Sequence, residues 1–182
     1  GQYILTSLKL LRECRLVPEV LVVSANEDCL RDELSAALKP ESVLSMHASD
    51  MNHVLKGTGC EGAFALLRVP ERPELGGEGP LLVLDGLRDP GNVGSLLRSA
   101  AALGWSQAAT TPGSVDLYHP VVVHAARHAH PLLRLHEAVS PAALSSLPHR
   151  TLLAAGGGGG IPGWTLEAHQ TTPLMLILGS ES

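Results

Sequence analysis

Two polar side chains, Asn92 and Arg98, stand just beyond a turn built on Asp85, Gly86, Asp89, Pro90 and Gly91, and here the chain concentrates residue types that could do chemistry. A strand that feeds through a glycine-rich turn into a helix leaves backbone N–H groups without partners at the helix start. An anion such as a phosphate or a substrate carboxylate can sit there. Residues i and i+6 of a helix point about 240° apart. Asn92 and Arg98 can share a face only if Asn92 lies at the cap or in the turn before it, and the spacing places it there. In the plainer alternative the two residues cap the helix and meet solvent, as Asn and Arg at such positions commonly do.

The elements that must hold this turn are a short buried strand over 81–84 and an Ala- and Leu-rich helix from about Asn92 to Leu103. Upstream, residues 1–14 place Ile4, Leu8 and Leu11 on one helical stripe, and an amphipathic helix is expected there. Strands are expected at 19–24, 43–46 and 62–69, with helices over 32–38, which Pro40 ends, and from Ser49 or Asp50 to Leu55. The segment 70–80 is rich in Pro, Gly and Glu and reads as a linker. The chain thus divides into a small α/β domain at 1–70, a linker at 71–80 and a second α/β domain at 81–182. In the second domain strands at 108–110, 132–135, 151–155 and 174–178 alternate with helices at 121–130 and from Ser140–Pro141. Such alternation predicts a mostly parallel sheet.

Composition narrows the class. Of 182 residues 45% are hydrophobic and only 3% aromatic, so the core must be built from Leu, Val and Ala. The net charge of −5 means that nucleic acid would have to be held by a local patch or with a partner's help. Cys14, Cys29 and Cys60 are widely spaced and odd in number, which suits a reducing compartment. No apolar run approaches the roughly 18 residues that span a bilayer, so no membrane partner is expected. A chain that begins with Gly and ends just after an apolar strand reads as a fragment, from which a leader could be missing.

Other patterns are weaker. Gly158, Gly160 and Gly163 satisfy G-x-G-x-x-G, but five consecutive glycines satisfy many patterns and Pro162 interrupts this one, so a loop is the better reading. His124, His128 and His130 cluster, the first two at i, i+4 of the expected helix, yet no H-E-x-x-H occurs and Arg127 would repel a cation. Neither a G-x-S-x-G elbow nor a P-loop is present.

The stretch LVLDGLRDPGNVGSLLRSAAALGW at 82–105 closely resembles the first motif of the SpoU/TrmH-like RNA 2'-O-ribose methyltransferases of the SPOUT class, and LMLILGSES at 174–182 looks like the start of their second. GCEGAFALLRVP at 59–70 and TTPGSVDLYHPVVVHAA at 110–126 are similar to further family segments, so the resemblance covers almost the whole chain. It implies a SPOUT-type knotted, parallel α/β domain that dimerises, preceded by a small substrate-binding α/β domain. S-adenosylmethionine would sit in the knot, with Gly179, Leu178 and Ala154 as its binding residues. Asn92, Arg98 and Glu181 match the family's active-site positions.

The implied reaction is in-line attack of a ribose 2'-oxygen on a sulfonium methyl, which needs orientation and stabilisation of a developing alkoxide and no metal. A guanidinium is a poor base, so Arg98 would stabilise the forming oxyanion and contact the adjacent phosphate. Asn92 would position Arg98 or the ribose, and Glu181 would fix the motif loops. The implied partners are rRNA, with tRNA as second choice, a SpoU-like subunit of the same or another chain, and a ribosomal assembly intermediate. Mitochondria are the expected compartment and the cytoplasm the alternative.

Three departures stand out. His124–Ala129 replaces a small-residue stretch of the type R-A-S-x-G-A, with a bulky side chain at the glycine. Thr6 and Ser7 stand where Glu-Gly is common, and the family's third motif is not within the sequence. They raise a second expectation, a catalytically degenerate SpoU-like protein that binds rRNA or a partner as a ribosome assembly factor.

Overall fold

The computed structural model describes residues 1–71, 74–154 and 172–179, which form two sheets with helices on both faces of each. The first sheet has the order β1–β4–β2–β3, from β1 (Gln2–Leu5), β2 (Val20–Ser24), β3 (Ser42–Met46) and β4 (Ala63–Arg68). β4 runs antiparallel to both neighbours, and β2 and β3 are parallel. Helices α1 (Leu8–Glu13) and α2 (Asp28–Leu38) bury Leu10, Leu11, Leu34 and Leu38 against one face. On the other, α3 (Ala48–Val54) brings Met51 onto Val22 and Phe64.

The expected helix over 1–14 is corrected. Residues 2–5 form a strand whose alternate side chains Tyr3 and Leu5 are buried, and only residues from Leu8 onward are helical. Ladder pairing with β4 supplies the backbone partners of 2–5, and Thr6 donates its hydroxyl to the Thr58 carbonyl, so the chain is extended where a helix would have to continue. That partner strand lies about sixty residues away, out of reach of any local periodicity.

The second sheet is wholly parallel. It contains β5 (Leu81–Asp85), β6 (Gln107–Thr110), β7 (Arg134–His136), β8 (Arg150–Ala154) and β9 (Leu174–Gly179), in the order β7–β6–β5–β9–β8. β5 is central and buried on both faces, which its unbroken apolar run Leu81–Leu84 requires. Helices α4 (Pro90–Ala102) and α5 (Pro120–Ala125) cover Leu82, Leu84 and Leu135, and α6 (Pro141–Ser145) covers Leu81 and Val83. Residues 74–80 run along the sheet's amino-terminal edge, where the Gly76 N–H donates to Gln107 Oε1 and His149 Nε2 approaches the Gly79 carbonyl.

A second correction concerns the helix expected over 121–130. α5 stops at Ala125, and Arg127 and His128 adopt φ of 51° and 56°. Left-handed backbone costs an L-residue roughly 1–2 kcal/mol, so tertiary contacts must hold it. The His128 N–H donates to the Val123 carbonyl, and His128 Nε2 lies 2.8 Å from the Tyr3 hydroxyl on β1. His124 and His128 are therefore not an i, i+4 pair on one helix. The same region joins the two sheets: Val123 of α5 is buried in the first sheet's core, and Tyr118 packs against both cores.

Candidate functional site

In an open parallel sheet, ligands bind outside the carboxyl ends of the strands where the strand order reverses. From β5 the chain moves outward to β6 and β7, then crosses to the opposite edge for β8 and returns with β9 beside β5. The reversal therefore falls between β5 and β9. Their register pairs Asp85 with Gly179 and Leu84 with Leu178, and the next pair outward places Ala154 beside Leu178.

Three of the residues expected to hold a cofactor thus lie together at one sheet edge, though not on one face. Leu178 follows Leu84 and Leu176 toward the α4–α5 core and is partly buried there. Gly179, one residue on, belongs to the other face. A Cβ built on Gly179 would meet no atom of the described residues within 4 Å.

The turn that leaves β5 is tied to the turn that leaves β6. Gly86 takes φ 65°, a conformation suited to glycine, and its N–H donates to Thr111 Oγ1 at 3.1 Å. The Thr111 hydroxyl in turn donates to Asp85 Oδ1 at 2.6 Å. The Thr111 N–H and the Ser114 hydroxyl both donate to the Leu84 carbonyl, and the Val115 N–H to the Leu87 carbonyl. Buried Thr111 is the centre of this clamp. Sequence reasoning missed Thr111 and Ser114; the polar pair Thr110–Thr111 after an apolar strand marks a turn, but not the turn against which it packs.

α4 begins two residues earlier than expected. Asp89 is its N-cap, accepting the Asn92 N–H at 2.7 Å, and Pro90 fills the first helical position. The placement of Asn92 at or before the cap is corrected: it is the third residue of the helix. Asn92 and Arg98 are both exposed. Six residues of helix separate them by about 240° and roughly 9 Å of rise. They are not brought onto one face, and no described residue hydrogen-bonds or ion-pairs with Arg98. Between them Gly94 lets α5 approach: an added Cβ would sit 2.6 Å from the Val122 carbonyl oxygen and 2.6 Å from Ala125 Cβ.

The histidine cluster lies at the joint between the two sheets. Tyr3, Tyr118 and His130 pack ring against ring at centroid separations of 5.2 to 6.0 Å. His130 is 2% exposed; its Nε2–H donates to the Leu117 carbonyl at 2.7 Å, while its buried Nδ1 has no hydrogen-bond partner among the described residues. Burial pushes the His128 imidazole down to about 4 and lowers His130 as well, so both are neutral at pH 7. Burial raises the Tyr3 hydroxyl above its ordinary range. Among the described residues no group of His, Cys, Asp and Glu is arranged to hold a metal ion. Glu181 and the glycine run 156–160 with Gly163 lie outside the described residues.

Residues 79–182 match the SpoU rRNA methylase family. The mouse protein named rRNA methyltransferase 3, mitochondrial, is 35% identical over 108 residues, covering 57% of this chain and 25% of that protein. A 23S rRNA (guanosine-2'-O-)-methyltransferase of Xylella fastidiosa is 38% identical over 100 residues, 48% of this chain and 40% of its own length. Among solved structures, the SpoU methyltransferase AviRb from Streptomyces viridochromogenes, in complex with the cofactor AdoMet, superposes with a TM-score of 0.77. That pair is 19% identical and covers 100% of this chain and 74% of the other. The chain spans less than half the length of the two sequence relatives.

Proposed function

The chain belongs to the SpoU rRNA methylase family and has the α/β fold of the SPOUT class, and from that premise we propose that it is an rRNA ribose 2'-O-methyltransferase that uses S-adenosylmethionine. The Xylella relative's name supports the 2'-oxygen as the target, the mouse relative's supports mitochondrial rRNA, and the AviRb complex supports the cofactor. One observation of this structure carries the reading: Arg98 is exposed and unpaired among the described residues, on the helix that starts at the reversal between β5 and β9.

The strand ends suit the cofactor. Gly179, where no described residue comes within 4 Å of an added Cβ, and the small side chain of Ala154 would border it, and the Leu178 backbone would line it while its side chain stays in the core. Bound there, S-adenosylmethionine supplies the methyl group. The chain's own task is to hold a ribose in line and to stabilise negative charge as it develops on the 2'-oxygen. Arg98 does the second and contacts the neighbouring phosphate; a guanidinium is always charged and suits phosphate geometry. The turn of α4 between Asn92 and Arg98 argues against a direct contact of the two, so Asn92 orients the ribose. Glu181 steadies the second motif, and a second SpoU-like subunit is the protein partner.

The alternative, a degenerate assembly factor, draws on the bulky His128 at a glycine position. The fold accommodates that side chain with a hydrogen bond to Tyr3, so the departure does not by itself favour loss of activity. The test is titration with S-adenosylmethionine in a calorimeter, followed by transfer of labelled methyl to rRNA fragments. Binding and a single methylated ribose are expected, with Arg98→Ala abolishing transfer while cofactor affinity stays within about twofold. No binding by the full-length protein, or undiminished transfer by the variant, would refute the reading.

A further inference from the structure

The clamp at Thr111 has a consequence for the motif turn. The hydroxyl sits between two groups of the β5–α4 connection: it donates to the Asp85 carboxylate at 2.6 Å and accepts the Gly86 N–H at 3.1 Å. A hydroxyl oxygen can do both at one atom, whereas an apolar side chain of the same shape can do neither. Thr111 is 7% exposed, and water is a poor substitute partner there. Three residues beyond Gly86 stands the Asp89 cap, and three beyond that Asn92, so the direction in which α4 leaves the sheet depends on how Asp85 and Gly86 are held.

The same loop is anchored at its far end. The Leu117 carbonyl accepts from His130 and the Leu117 N–H donates to Glu137 Oε1, so Thr111 belongs to a rigid strap across the carboxyl edge. Asp85 has no ion-pair partner among the described residues and lines a cavity of ≈ 170 Å³ together with Thr111, Ser145, Thr151 and apolar residues such as Leu144 and Met175. A carboxylate so placed could act either by its charge or by its geometry. The bridging hydroxyl and the left-handed turn at Gly86 favour geometry.

We infer that Thr111, acting through Asp85 and Gly86, is a positioning residue for methyl transfer: its hydroxyl sets the turn that aims the Asn92–Arg98 helix. The inference rests on the methyltransferase reading, but part of its test does not.

Thr111→Val keeps the shape and removes the hydroxyl; Thr111→Ser keeps the hydroxyl. In the free protein, hydrogen exchange of the Gly86 amide should quicken about fivefold to tenfold in Thr111→Val, as expected for one lost hydrogen bond, and stay near wild type in Thr111→Ser. With cofactor and rRNA fragment, kcat should fall on the order of 10-fold to 100-fold in Thr111→Val, the scale of a sub-ångström to ångström misalignment. The KM for RNA and the calorimetric affinity for S-adenosylmethionine should stay within about twofold, and Thr111→Ser should recover kcat. Asp85→Asn retains an acceptor for the hydroxyl, and its Gly86 exchange should stay near wild type.

Unchanged Gly86 exchange in Thr111→Val overturns the clamp whether or not the protein is an enzyme. Altered exchange with unchanged kcat overturns the positioning role alone. Loss of cofactor affinity in Asp85→Asn, with affinity for the neutral thioether product preserved, overturns it in favour of direct charge contact. A wild-type protein without methyl transfer refutes the enzyme reading and the positioning role that rests on it, leaving the exchange arm as the test of the clamp.

Discussion

Gly94→Ala tests whether the motif's third glycine is a packing requirement. On an isolated helix the change would be favourable by about 1 kcal/mol, since Ala outranks Gly by that much in a helix interior. Here the new Cβ would lie 2.6 Å from the Val122 carbonyl oxygen, 2.6 Å from Ala125 Cβ and 2.9 Å from the Ala126 nitrogen. Two of those three atoms are backbone, so no rotamer change relieves them, and α4 and α5 must separate by roughly 1 Å. Overpacking of this kind costs about 1–3 kcal/mol. The upper end applies because Val93, Leu97, Val122 and Ala126 share one buried cluster and would lose contact together. After the propensity gain, a net loss of about 2 kcal/mol remains, which in urea, with a slope of about 2 kcal/mol/M, lowers the midpoint by about 1 M. Gly91→Ala is the control: its nearest neighbour is a side-chain oxygen, Asp89 Oδ1, at 3.2 Å, and the midpoint should move little or rise. A Gly94→Ala midpoint equal to or above wild type would show that the helices do not meet at Gly94.

What could be read in advance was mostly what neighbours in sequence decide. The apolar run before Asp85 and the Ser140–Pro141 helix start are local signals, and both elements are where those signals put them. Residues 2–5 were not legible because their conformation is chosen by pairing with β4, and the end of α5 was not because His128 answers to Tyr3. The error at Asn92 differs in kind. Asp89–Pro90 is a recognisable local helix start, and it is incompatible with a shared face for Asn92 and Arg98. The site's remaining geometry, the clamp of Thr111 and Ser114 on the motif turn, depends on two parallel strands lying side by side, and no spacing within either segment encodes that.

Removing the α4 cap with Asp89→Ala should lower stability by about 1 kcal/mol, with Asp89→Ser recovering most of it in the same urea titration; no loss would mean that the Asn92 N–H is satisfied elsewhere. Tyr3→Phe and His128→Gly should be non-additive, with a coupling of about 1 kcal/mol, while His128→Gly alone is nearly neutral because relief of the left-handed backbone offsets the lost bond. Strict additivity would mean that the 2.8 Å contact does not hold the sheets together. The pH profile follows from the same joint. Burial holds His128 at about 4, against an ordinary 6.5, and lowers His130 too, so the unfolded chain takes up these protons first. The stability of the neutral imidazoles is whole above about pH 6.5 and is lost as pH falls toward 4, by on the order of 1 kcal/mol per pH unit at the steepest. The melting temperature should therefore fall between pH 7 and pH 4.5, and fall less in His128→Gly. A flat profile over that window, or one unchanged by the variant, would mean that His128 is not a buried neutral imidazole.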